Sequence, residues 1–174
     1  MRRIALGITA AAIAVTTIAA PALASNKPGT MTITDIVLVD DGQFDVLQAA
    51  VIEAGLAGAL DGRDQYTVFA PTDAAFVSTF EGILDADLSE QDVIDFVAAG
   101  GVDAAFGSGA LENILLYHVT DGRRQAKSVV KAPGYDMLNG DRLSRGELLD
   151  AGIVATNISA SNGVIHVIGG VLLP

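Results

Sequence analysis

The sequence predicts an α+β domain in which helices and strands are segregated along the chain. Apolar residues recur at helical spacing through the first two thirds of the exported part, while short β-branched segments separated by Gly, Asn and Asp fill the last third. No internal repeat is evident. Cysteine is absent, which removes disulfides and thiolate metal sites and leaves an apolar core as the source of stability.

Residues 1–24 read as a secretory signal peptide. Arg2 and Arg3 precede an apolar run from Ile4 to Ala20, and Ala22-Leu23-Ala24 forms a cleavage signature. The run is alanine-rich and short for a spanning helix, and the twin arginines lack the flanks of the folded-export route, so general secretion is expected. Cleavage would remove two basic residues and no acidic ones, taking the net charge of −11 down by two to −13. Such acidity repels nucleic acid and anionic lipid. About 150 residues then remain, enough for one domain with a sizeable core. No second run of spanning length and no lipid-anchor or sorting tail is read before Pro174. A secreted protein without membrane insertion after cleavage is expected, either extracellular or periplasmic.

Residues 25–31 are small and polar and read as a flexible segment leading to a single domain over 32–174. Thr34 or Asp35 is placed to cap a short helical turn ending near Val37, and Asp40, Asp41 and Gly42 then punctuate the chain. Phe44, Leu47 and Val51 fall on one helical face and predict a longer helix, weakened at Gly55. Leu56–Leu60 forms another turn before the Asp61-Gly62 break. Tyr66, Thr67, Val68 and Phe69 suit a strand, followed by Ala70 and closed by Pro71, which offers no amide to a ladder. A helix starts at once, with Thr72 as cap, Asp73 at the positive end of the dipole and Phe76 as apolar anchor.

That helix is expected to fray by Gly82. Ser89 and Asp92 then form a capping box for a helix buried through Val93, Phe96 and Val97, which Gly100 and Gly101 stop. A small-residue loop leads to Ser108, where Leu111, Ile114 and Leu115 predict a short helix. Leu116–Thr120 has strand character, placing Tyr117 and His118 on opposite faces, and Asp121-Gly122 ends it. Further strands are predicted near Gln125–Val130, Tyr135–Leu138, Arg142–Ser144 and Ile153–Ile158. Asn162-Gly163 is the favoured pair for a tight mirror-image turn joining the last of these to Val164–Ile168.

Three separated stretches together carry a resemblance: Thr67-Val68-Phe69-Ala70-Pro71-Thr72-Asp73-Ala74-Ala75-Phe76, Leu115-Leu116-Tyr117-His118-Val119, and Asn162-Gly163-Val164-Ile165-His166-Val167-Ile168 with Val171-Leu172-Leu173-Pro174. In order, spacing and sequence the chain resembles a fasciclin-type (FAS1) domain over essentially its whole mature length. The resemblance implies a wedge-shaped β-sandwich with helices clustered at one edge, in proteins concerned with adhesion, extracellular matrix and, in some bacteria, symbiosis or host contact. It implies a cell-surface or matrix protein or glycan as partner, and no cofactor. Tyr117 and His118 match a motif proposed to be adhesive, whereas Thr67–Asp73, Phe76, Asn162, Gly163, Val164, His166 and Leu172 match structural positions. Two departures stand out. Asp73 replaces a common Asn, a mild change, and Gly169-Gly170 replaces an aspartate and its neighbour in a motif proposed to engage integrins. Integrin recognition by that route is therefore not expected. Gly62-Arg63-Asp64 is not an Arg-Gly-Asp signal.

Other chemistries are poorly supported. Only His118 and His166 could be conventional bases; neither follows a nucleophile signature, and Gly107-Ser108-Gly109 is no nucleophile elbow. A non-catalytic protein is expected. Asp85, Asp87 and Glu90, and separately Asp35, Asp40, Asp41 and Asp45, fit no calcium loop and read as solvated acidic faces, so no metal site is assigned. Asn157-Ile158-Ser159 is a glycosylation acceptor sequence. The alternative to an adhesion module is a carrier of a small apolar ligand in a cleft between helices and sheet, with Phe44, Phe96 or Tyr135 lining it. A cavity would favour the carrier. A closed core with Tyr117 exposed would favour adhesion.

Overall fold

The structure, a computed structural model, describes residues 29–39, 42–60 and 64–174. The signal peptide, Asp40, Asp41 and the Asp61-Gly62 break lie outside them. The described elements run in the order α1 (Ile33–Val37), α2 (Asp45–Glu53), β1 (Tyr66–Pro71), α3 (Asp73–Leu84), α4 (Glu90–Ala98), α5 (Gly101–Phe106), α6 (Ala110–Tyr117), β2 (Val119–Asp121), α7 (Ala126–Val129), β3 (Gly134–Asp136), β4 (Arg142–Ser144), α8 (Arg145–Asp150), β5 (Ile153–Ala160) and β6 (Gly163–Ile168).

Four strands form one sheet in the order β2-β1-β6-β5, and β3 and β4 form a second. β1 lies parallel to β6, with Phe69 opposite His166 and Val68 opposite Ile165, and antiparallel to β2. Strand alternation then divides the core in two. Val68, Ala70, Ile165 and Val167 face the helices in one apolar cluster, whereas Phe69 and Ile168 face Tyr135, Leu143 and Leu148 in another. The second sheet joins the first through the Thr120–Met137 bridge. This is the expected α+β sandwich, with α2–α6 gathered on one side.

The strand-to-helix corner forms as the sequence predicts. β1 ends at Pro71, and the Thr72 hydroxyl accepts from the Ala75 amide to cap α3. The Ser89–Asp92 capping box opens α4 as expected, while α1 uses Thr32 and Asp35 for its box in place of the anticipated Thr34 or Asp35 cap. α3 runs past Gly82 to Leu84 and stops at Asp85, whose φ of 51° is left-handed.

Four local expectations are corrected. The stretch after Gly101 is helical, so Gly100 separates two helices instead of opening a long loop. The segment 125–130 is α7, not a strand: its apolar residues are too few to separate the two periodicities. Leu116 and Tyr117 belong to α6, leaving only Val119–Asp121 as strand. The β5–β6 turn is Ser161-Asn162, because Ala160 pairs with Gly163. Gly163 is needed for proximity, not for a left-handed φ: a Cβ there would lie 2.2 Å from Tyr66 O and 2.6 Å from Ile33 Cδ1. Asn162 turns inward, where its Oδ1 accepts from the Ile33 amide at 2.8 Å and its Nδ2 donates to Leu60 O at 2.6 Å.

Candidate functional site

Both members of the expected adhesive pair are inside the protein. Tyr117 is the last residue of α6 and is 4% exposed, in the cluster with Phe69 and Tyr135; His118 follows it and is 3% exposed. The expected placement of Tyr117 and His118 on opposite faces of a strand is thus corrected, because Tyr117 ends α6 and His118 is its C-cap, and the exposed Tyr117 that would favour adhesion is not found. Loss of solvent is the main reason that the Tyr117 phenol is pushed up.

His118 is a tether. Its Nδ1–H donates to Ile114 O at 2.8 Å, one helical turn back, and its Nε2 accepts from the Leu172 amide at 2.9 Å. These bonds define a neutral imidazole, and burial lowers its pKa to about 4 against the weaker opposing effect of the Ile114 carbonyl. The terminal segment is thereby fixed with Leu172 in the second core cluster and Val171 and Leu173 turned the other way.

Val171 and Leu173 help to wall an apolar cavity of about 250 Å³. Phe76, Phe80 and Ile83 of α3, Phe106 of α5 and Leu111 and Ile114 of α6 are among its other lining residues. Ile83, Phe106 and Leu173 are also solvent-exposed large apolar residues, at 41, 49 and 50%. Phe44, Phe96 and Tyr135 do not line this space. Phe44 is in the helix-side core, Phe96 packs edge-on against Phe80 at 5.6 Å, and Tyr135 lies across the sheet.

His166 is fully buried on that other side, stacked on Phe69 at 5.8 Å. Its Nε2–H donates to Arg124 O at 2.9 Å and its Nδ1 accepts a long 3.5 Å bond from the Asn157 amide; burial lowers its pKa. Asn157 has a left-handed φ of 61° at an irregularity of β5, and its Oδ1 accepts from the Ala126 amide. The Arg124 guanidinium lies 5.1 Å from the centre of the Tyr135 ring. No serine hydroxyl bonds either imidazole among the described hydrogen bonds.

A second assembly was not legible as a motif. Asp45, Asp73 and Glu90 are the first residues of α2, α3 and α4, and they bring carboxylate oxygens within 4.8 Å of one another. Asp73 is 5% exposed; its Oδ1 accepts from the Val46 amide at 2.9 Å, supplying α2 with the cap that Phe44 lacks. Its Oδ2 is buried without a hydrogen-bond partner. Partial loss of solvent, followed by the charges of Asp73 and Asp45, raises the Glu90 pKa. The acidic groups read from sequence proximity are therefore regrouped. Three carboxylates 17 or more positions apart meet because three helices start at one place, a relation with no sequence spacing to reveal it.

The fasciclin domain model matches residues 42–174. Protein sll1483 of Synechocystis sp. (strain ATCC 27184 / PCC 6803 / Kazusa) is 31% identical over 83% of this chain and 74% of its own. The transforming growth factor-beta-induced protein ig-h3 of Sus scrofa is 32% identical over 79% of this chain, which spans only 19% of that protein. Among solved structures, a FAS1 domain pair from the insect cell adhesion molecule Fasciclin I superposes with a TM-score of 0.51 at 18% identity, over 84% of this chain and 52% of that one. With the family's model covering residues 42–174, which include the second core cluster, the corner after β1 and the closing hairpin, this chain belongs to the fasciclin domain family.

Proposed function

We propose that this protein is a secreted, non-catalytic interaction domain that binds a cell-surface or matrix protein or glycan. The observation that carries this reading is the gathering of exposed Ile83, Phe106 and Leu173 around one opening, in a chain whose two histidines have both ring nitrogens bonded to the backbone or its carbonyls. Exposed apolar side chains that converge mark contact surfaces. Export is supported by the leader, and among the described residues no helix is long and apolar enough to cross a membrane. Kinship to a domain pair from a cell adhesion molecule supports the same reading.

Tyr117 and His118 enter this function indirectly, through the terminal segment that His118 holds. Beads densely coated with the mature domain should retain a protein or glycan from surface or matrix extracts, since clustering compensates for weak single contacts. Retention should fall in a Phe106→Ser, Leu173→Ser variant of unchanged melting temperature. Retention that survives this variant would remove the opening from the contact surface; failure to retain any component at high density would overturn the reading.

The cavity favours a second reading, carriage of a small apolar molecule. An apolar cavity of about 150 Å³ accommodates benzene, so about 250 Å³ suits a somewhat larger uncharged ligand. Displacement of a solvatochromic apolar dye by medium-chain alcohols, weakened by the cavity-filling Ala110→Leu, would support carriage over adhesion.

A further inference from the structure

We propose that Asp45, Asp73 and Glu90 form a binding site for one hard divalent cation, tested with calcium. The donors are all carboxylate oxygens, which select calcium, magnesium or manganese over the softer metals. Two oxygens on opposite sides of one ion are separated by twice the metal–oxygen distance. At a calcium–oxygen distance of roughly 2.4 Å that limit is about 4.8 Å, and at roughly 2.1 Å for magnesium it is about 4.2 Å. The three carboxylate oxygens lie within 4.8 Å of one another, a span that one calcium ion can bridge without movement of any helix.

The second observation is independent of acidity. Asp73 is 95% buried, one oxygen is committed to the Val46 amide, and the other has no hydrogen-bond partner. A buried carboxylate oxygen without a partner is costly, and a coordinated cation is one of the few groups that satisfies it. The three helix N-termini do not remove the need. Each contributes only roughly half a positive charge, and none donates to the second oxygen of Asp73.

Exposed Glu90 leaves an entry path for the ion and room for water to complete a coordination shell that three side chains leave open. Bound there, the ion would tie together the starts of α2, α3 and α4, of which α3 forms one wall of the apolar cavity. It would act as a structural clamp on the helical layer.

Isothermal titration of the mature full chain with calcium chloride at constant ionic strength, paired with thermal melts, tests the assignment. One saturable calcium per chain is expected, with Kd of about 10⁻⁴ to 10⁻³ M as in extracellular calcium modules, and calcium at about ten times Kd should raise the melting temperature by a few degrees. Glu90→Gln should weaken binding at least about tenfold, and Asp73→Asn should abolish it, while Asp150→Asn, remote in sequence and exposed, should leave it unchanged. Glu90 is exposed, so its variant keeps the test decisive if Asp73→Asn does not fold. Absence of saturable binding up to about 10 mM, binding that persists in Glu90→Gln, or equal weakening by Asp150→Asn would overturn the site. So would a melting temperature that rises on acidification towards pH 5 but never with calcium, the signature of a proton shared among the carboxylates.

Discussion

The two faces of the four-stranded sheet are covered in opposite ways. Towards the helices, aliphatic side chains and phenylalanines pack around a cavity of about 250 Å³. Towards the two-stranded sheet, Phe69, His166, Tyr135 and Arg124 stack on one another, and the Tyr135 hydroxyl donates to Ser128 O and Val129 O at 2.9 and 3.1 Å. Rings with polar ends fix their own orientation by hydrogen bonds, whereas interchangeable aliphatic contacts from separate short helices leave space between them. One face is thus closely fixed by hydrogen-bonded rings, while the other encloses an apolar cavity. Tyr117 and His118 sit at the seam, one in each environment.

The largest effect that could break this contrast is truncation of the ring at the centre of the tight face. Phe69→Ala should cost about 3 to 5 kcal/mol in urea unfolding, and Phe76→Ala, which borders the existing cavity, about 3 kcal/mol or less. Equal costs would show that the two faces are packed alike.

Acid should act next. His118 has a folded-state pKa of about 4, below its ordinary 6.5, so the unfolded chain takes up the proton first. Its contribution to stability is intact above pH 6.5 and declines as pH falls towards 4. Between pH 6.5 and 5 the loss should be about 1.5 kcal/mol. His166 is shifted in the same direction. Unfolding free energies of His118→Gln across this window should show a flatter slope than the wild type. An unchanged slope would mean that burial does not hold the His118 pKa below its ordinary value.

The smallest effect belongs to the rim of the second sheet. Arg142 and Asp136 pair at 2.7 Å but are 60 and 83% exposed, so Asp136→Ala should change stability by about 0.5 kcal/mol or less. A loss above about 1 kcal/mol would show that the tight face depends on its surface strands as well as on its rings.

Much of the fold was legible wherever a local rule had no competitor. Thr72 and Ser89 cap helices because their hydroxyls lie three residues before a helical amide, and Pro71 ends β1 because it has no amide to offer. The same rule would have found α8, whose Ser144–Glu147 capping box is written in the sequence but was read only as a strand end. The candidate sites were less legible. Tyr117 and His118 are picked out by the resemblance but placed on opposite faces of a strand, since Leu-Leu-Tyr-His suits a helix end and a strand about equally. Asn162 and Gly163 were found as a turn, yet their service is to Ile33, Leu60 and Tyr66, up to 129 positions away.

By itself the sequence determined the class of fold, the starts of α3 and α4, the apolar positions of β1 and β6 and the family to which the chain belongs, because these depend on neighbours a few residues apart. Only the tertiary structure decided that His118 would be a buried, neutral tether, that the expected adhesive pair would lie beneath the surface, and that Asp45, Asp73 and Glu90 would share one corner. Those outcomes depend on where separate helices end in space, and no one-dimensional spacing encodes the meeting of three helix starts.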